Sequence, residues 1–340
     1  MADALRTRRY DRYTGLRRDW WMVGVGLMTV CLARNNGFLA VALTGLVLLA
    51  LLRRLWRRIA AVALVPVVMF FVLDSGVYPA LGVTKPVNYA GDSFFYADVA
   101  YAYAKAPSTF THAELAVMSK VATLTHWSTA GADCRGTDGL TSTRFNLTEA
   151  TRINSQLTGI FAKVVERTPQ FVAEATICRG QPAWAIFPGS DPIYVPGTGW
   201  DSVLYGMAIG HPDLYTSKFH PAMVPHHPSA TLHRLVDWWY NLLTVQQLRW
   251  LLWGGAVWCW IAYGLLFRLS RRLGGRWEVL AVGAATAGLQ ITVFVAIPGA
   301  LYRYMAGPTI IGVLLLPIAF SRLTRKDLPL GGASDEAAAP

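Results

Sequence analysis

Charge is what this chain has least of: only 15% of its 340 residues are charged, against 54% hydrophobic, with a mean hydropathy of +0.34. That balance lies outside ordinary soluble composition and points to an integral membrane protein. Acid is scarcer than base, 20 Asp and Glu against 31 Lys and Arg. The basic excess sits in short segments beside apolar runs, so a nucleic-acid-binding face is not expected. Cysteine is sparse at four, which excludes a disulfide-dense scaffold. The sequence carries no P-loop, no GxSxG elbow and no dinucleotide-binding glycine motif. No segment reads as a cleavable signal peptide.

What is present are apolar runs: Trp20 to Ala33, Phe38 to Leu52, Ile59 to Leu73 (continuing past Asp74 to Val77), Leu248 to Phe267, Val279 to Ile297 and Ala306 to Phe320. They predict about six transmembrane helices. The first two are short for full crossings and are joined by the turn Arg34-Asn35-Asn36-Gly37. Basic residues in short loops stay cytoplasmic. The N-terminus, the connections holding Arg53, Arg54, Arg57 and Arg58 and holding Arg268, Arg271, Arg272 and Arg276, and the tail with Arg322, Arg325 and Lys326 then all fall on one side. Both termini are therefore expected inside, with anionic lipid facing these clusters.

The expected organisation is a basic N-terminus over 1–19, spans 1 to 3 over 20–77, an extracytoplasmic domain over 78–246, spans 4 to 6 over 247–321, and a disordered tail over 322–340. The outer domain reads as mainly helical and loop-rich. Thr111 and Glu114 form a capping box, Pro107 breaks one helix, "NLTEATRINSQLTGIFAKVVER" reads as a helix capped by Thr148, and another runs from Pro169 to Gly180. A Pro- and Gly-rich stretch over 182–233 reads as loop, and its His220, His226, His227 and His233 match no zinc spacing, so no metal site is expected. Cys134 and Cys178 are the disulfide candidate in an oxidising exterior, the alternative being two small buried hydrophobes. Cys31 and Cys259 read as packing.

"ARNNGFLAV", "SFFYADVAYAYAKAPSTFTHAELAVMSKV", "VVERTPQFVAEATICRGQPAW" and "GALYRYMAGPTI" together resemble the carboxy-terminal half of bacterial multi-pass proteins of the C-type glycosyltransferase superfamily. The resemblance implies a polyprenyl-phosphate-linked sugar donor used at the outer membrane face, in assembly of envelope polysaccharide or glycolipid. It implies that Arg34, Asn35, Asn36, Arg303 and Tyr304 bind the lipid phosphate, Arg34 and Arg303 as fixed cations. The bland alternative is that Arg34 snorkels beside a simple Asn-Gly turn. The superfamily's general base is an Asp in the first outer loop, and RNNG has no acid. The available substitutes are Asp74, Asp92 and Asp98, with Asp92 and Asp98 the catalytic candidates, against the reading that each is a cap or a solvated helix residue. The superfamily also has more spans. The chain is therefore expected to be a partial or split version whose missing membrane half or partner subunit supplies the base. The competing expectation is a non-catalytic membrane scaffold or assembly subunit whose outer domain binds a partner.

Overall fold

The computed structural model describes residues 15–33, 36–83, 89–135, 137, 139–141, 144–187, 229–232, 234–235, 238, 250–251, 254–272, 277–297 and 304–320. The described residues are helical, with no strand among them. The chain starts with α1 (Gly15–Ala33), α2 (Gly37–Leu51) and α3 (Trp56–Val72). All three pack on one another. α2 starts close against the last turn of α1. A side chain at Gly37 would run into the backbone of Val30 and Cys31, so only glycine lets α2 start that close to α1. Asn36 precedes α2 and its carbonyl accepts from Leu39 and Ala40, while its side chain makes no capping bond.

α3 is lengthened on both sides, by a 3-10 turn at Arg53–Leu55 and by a π segment, Leu73–Val77, followed by a helical turn Tyr78–Ala80. The resulting helix Arg53–Ala80 has 28 residues and is long and apolar enough to cross a membrane. At 1.5 Å per residue it extends about 42 Å, against a hydrocarbon core of about 30 Å. The apolar helices at Trp20–Ala33, Gly37–Leu51, Ala284–Ala296 and Ala306–Pro317 are shorter.

A second group is the central helical unit of the chain. α4 (Tyr89–Lys105), α5 (His112–Val121), α6 (Leu124–Gly131), α7 (Leu147–Arg152), α8 (Asn154–Arg167) and α9 (Pro169–Arg179) surround one apolar core. At its centre Trp127 is fully buried, its Nε1 donates to Met118 O, and its ring meets Phe145 edge-on. α6 runs so close to α4 that a side chain at Gly131 would overlap the Ala100 carbonyl. The Thr111–Glu114 capping box is formed at α5. The expected single helix from Asn146 to Arg167 is instead two: Asn146, not Thr148, caps α7 by accepting from Glu149 N, and the axis breaks at Ile153 before α8. Ile153 is buried in the core. The break turns a β-branched apolar side chain inward where a straight helix would fix its direction by period alone.

The four-residue α10 (Gln181–Trp184) leads to the third group, α11 (Gly255–Arg272), α12 (Trp277–Ala281), α13 (Ala284–Ala296) and α14 (Ala306–Phe320). α11 packs against α14, and α13 packs along α2, joining this group to the first three helices in one apolar bundle. The α2–α13 contact uses small residues. A side chain at Gly288 would lie 2.6 Å from Thr44 N and 2.8 Å from Ala40 O. Close backbone approach of this kind is how apolar helices associate when burial against lipid gains little. In the fourth apolar run Trp250 and Leu251 are helical, and the helix from Gly255 continues past Phe267 to Arg272. The fifth is divided in two around Gly283.

Candidate functional site

The residues from Ile177 to Trp184 join the central helical unit to the apolar bundle, and nearly every one makes a tie. Cys178 is bonded to Cys134, with Cα atoms 5.9 Å apart, which holds the end of α9 against the loop after α6. The next residue, Arg179, is buried beside Asp98 of α4: Nη1 and Oδ1 are 2.8 Å apart and each side chain is 3% exposed. The two charges meet without an aligned hydrogen bond to Oδ1. Burial pushes the Asp98 pKa up, and the charge and proximity of Arg179 pull it back only in part. Gly180 follows, and a Cβ there would lie 2.8 Å from Phe294 O on α13. That close approach lets α10 enter between α11 and α13.

Inside the bundle α10 is met by side chains. Gln290 Nε2 donates to Ala183 O at 2.5 Å, and Tyr263 OH donates to Gln290 Oε1 at 2.6 Å. Trp184 spans the segment, its Nε1 donating to Ile177 O at 2.9 Å while its own carbonyl accepts from Trp260 Nε1 at 3.2 Å. The Ala183 carbonyl is thus satisfied by a side chain in an apolar surrounding, where leaving it bare would cost about 1–3 kcal/mol. Around this joint one apolar cluster gathers Ala183, Cys259, Val293, Ile297, Tyr304 and Met305.

The sequence-derived site residues distribute as follows. Tyr304 is 9% exposed within that cluster, so its ring packs at the joint, and Met305 beside it is fully buried. Arg34, Asn35 and Arg303 lie outside the described residues, as do His220, His226, His227 and His233. Asp92 and Asp98 are not brought together. Asp92 stands in the first turn of α4 and accepts from Asn154 Nδ2 at 2.8 Å, and Tyr96 OH donates to Asn154 Oδ1 at 2.7 Å. Burial, helped by the Asp92 charge, pushes the Tyr96 phenol up to about 12. Asp98 departs from the expected cap or solvated helix residue: it is sealed in the ion pair with Arg179. A proton acceptor for a substrate hydroxyl must reach that hydroxyl within hydrogen-bond distance, and a carboxylate this deep is held for Arg179.

Of the alternatives for Cys134 and Cys178, the disulfide is the one formed, while Cys31 and Cys259 are free and buried. Among the described residues no cluster of His, Cys, Asp and Glu is arranged to hold a metal.

Sequence reading overlooked Arg179 and Gln290. Arg179 carried one usable signal, a charge directly after Cys178 at the end of an apolar helix. Gln290 stood as the lone amide in a thirteen-residue apolar helix, and a polar side chain in such a place is rarely idle.

Glu114 shows the opposite electrostatic case. Burial by itself would raise its pKa, yet two Arg167 hydrogen bonds at 2.9 Å, bonds with the Thr111 backbone and hydroxyl, and the Arg167 charge bring it down to about 2.

No protein-family model matches the chain, and comparison with curated proteins and with solved structures returns no match.

Proposed function

We propose that this chain is a multi-pass membrane protein of envelope polysaccharide or glycolipid assembly. In this reading it forms part of a glycosyltransferase-like site that takes a polyprenyl-phosphate-linked sugar at the outer face. The six apolar helices are its spans, the unit from α4 to α9 lies outside, and the basic connections lie inside. The observation that carries the reading is the joint: Tyr304 packs in the same buried cluster as Ala183 of α10, Cys259 of α11 and Ile297 at the end of α13. Tyr304 and Met305, which follow Arg303 in the sequence, thereby lie at the contact between central unit and bundle, and a lipid-linked phosphate would lie at this depth. Arg303 and Arg34 supply the permanent cations, and Asn35 and Asn36 supply neutral hydrogen bonds.

The test is equilibrium binding of polyprenyl phosphate to the full chain in nanodiscs, for the native protein and for Arg34→Ala and Arg303→Ala. A charge-assisted contact contributes about 1.5–3 kcal/mol, so each substitution is expected to weaken binding about tenfold or more. Binding unchanged in both variants, with the Cys134–Cys178 bond intact, would refute the reading.

A second reading, an assembly subunit without transfer chemistry of its own, draws on the engagement of Asp98 by Arg179 and of Asp92 by Asn154. The two readings separate on adding the partner chain. The split-enzyme reading expects sugar transfer only with a partner that supplies a carboxylate base. Transfer that is indifferent to Arg34 and Arg303 supports the subunit reading.

A further inference from the structure

The end of the bundle away from the joint is cationic and aromatic at once. Arg53 and Arg57 are exposed where α2 passes to α3, and Arg271 and Arg272 are exposed at the end of α11. Arg271 lies about 16 Å along the helix from Trp260, which touches α10. α12 packs against both α2 and α11, which gathers the two basic segments at one end. Large apolar rings stand out on the same elements: Trp56 at the start of α3 is 56% exposed, Trp277 at the start of α12 59% and Phe267 on α11 56%. The Arg57 guanidinium lies 5.4 Å from the Trp56 ring centre and that of Arg271 5.9 Å from the Phe267 ring.

Exposed aromatic rings beside guanidinium groups are well placed at a headgroup layer, where the ring meets acyl chain and the cation meets phosphate. Guanidinium forks bind phosphate oxygens in pairs. A nucleic acid would satisfy the same cations, but it offers nothing apolar for rings set at the tips of helices as hydrophobic as α2. We infer that this end is a binding surface for anionic phospholipid headgroups, with Arg53, Arg57 and Arg271 as phosphate contacts and Trp56, Phe267 and Trp277 seated at the acyl boundary. The inference rests on the reading that the bundle sits in a membrane.

The full chain purified in detergent is titrated with phosphatidylglycerol or phosphatidylcholine, and bound lipid is counted by native mass spectrometry. The native chain is expected to prefer phosphatidylglycerol, and the preference is expected to fall as salt is raised. The triple variant Arg53→Gln, Arg57→Gln, Arg271→Gln is expected to lose about tenfold or more of its phosphatidylglycerol affinity with phosphatidylcholine binding unchanged. Arg152→Gln, on the central unit, is expected to change neither. An intact Cys134–Cys178 bond and native helix content verify that the triple variant is folded. Equal binding of the two lipids, retention of phosphatidylglycerol by the triple variant, or its displacement by a short oligonucleotide would overturn the inference. Flotation of the native chain with phosphatidylcholine vesicles separates the two levels: failure to float removes the membrane reading together with this inference, whereas flotation without lipid preference removes this inference alone.

Discussion

The central helical unit and the apolar bundle are both built of helices, yet different forces hold them. The central unit packs large side chains, Trp127, Tyr96, Phe145 and Met118, into one core, and fixes its helix ends with the Thr111 and Asn146 caps and one disulfide. In the bundle the close contacts come from small residues, Gly37 on α1, Gly45 on Ala63 and Gly288 on Ala40 and Thr44. Its outward surface carries Leu64, Val65, Val68 and Phe71 of α3 in the open. Burial from water drives the first arrangement. The second suits a surrounding as apolar as the helices themselves, where packing and internal hydrogen bonds must do the association. The contrast teaches where the joint must be polar: at Asp98, Arg179 and Gln290, where one regime passes into the other.

The largest expected effect would strike the central unit alone. Trp127→Ala removes a fully buried indole and the donor to Met118 O. It should cost about 5 kcal/mol, read as an early denaturant transition of the central unit with the helicity of the bundle retained. If both units melt together the contrast is wrong. Breaking the Cys134–Cys178 bond by paired Ser substitution releases a link spanning 44 residues. The loss should be about 4 kcal/mol on the chain-entropy estimate, measured by the same transition.

Arg179→Met leaves Asp98 buried without its cation and should cost about 3 kcal/mol. It should also alter the pH dependence in a definite direction. Asp98 has a raised pKa in the folded state, so the folded form holds its proton more tightly. Its contribution is therefore best at low pH and is lost as pH rises through the ordinary carboxylate range towards the raised value. Without Arg179 that loss should steepen, and Asp98→Asn should abolish it. Glu114 titrates the other way. Its pKa is lowered from 4.5 to about 2, so its contribution is present above pH 4.5 and disappears as pH falls towards 2. Glu114→Gln should flatten that acid limb and leave the Asp98 limb in place. Denaturant midpoints across pH separate the two.

The smallest effect concerns the joint from the side of the bundle. Gln290→Leu keeps the volume but takes the donor from Ala183 O and the acceptor from Tyr263. A cost of about 2 kcal/mol is expected, appearing as faster amide exchange over Gly180 to Trp184 and little change in α2. Exchange that rises equally in both helices would show that α10 is not the specific tie.

The sequence exposed local features and concealed long-range ones. The Thr111–Glu114 box, the break at Pro107 and the Pro169 to Gly180 helix are written in neighbouring residues, and each is found. The apolar runs give helices, but among the described residues one stretch, Arg53–Ala80, is long and apolar enough to cross a bilayer unaided. Hydropathy reports greasiness and leaves open where a helix ends. At α11 the helix runs on through Arg268, Arg271 and Arg272, because basic residues near a helix C-terminus are favourable. Asp98 and Arg179 stand on different helices far apart in the chain, so no spacing rule links them, and for want of a visible partner Asp98 reads as a catalytic candidate, a cap or a solvated residue. The same limit hid Gln290, whose acceptor is Ala183.

The central claim of the proposed function is a topology in which the disulfide-linked unit would face the exterior and the arginine-rich end of the bundle the cytoplasm. A membrane-impermeant maleimide applied to intact native cells tests it, before and after mild reduction, on the native chain and on the Arg271→Cys variant. Labelling at Cys134 and Cys178 only after reduction, with the introduced thiol at position 271 labelled only when the membrane is opened, is the expected result. Labelling at position 271 in intact cells, with Cys134 and Cys178 protected until lysis, would contradict it.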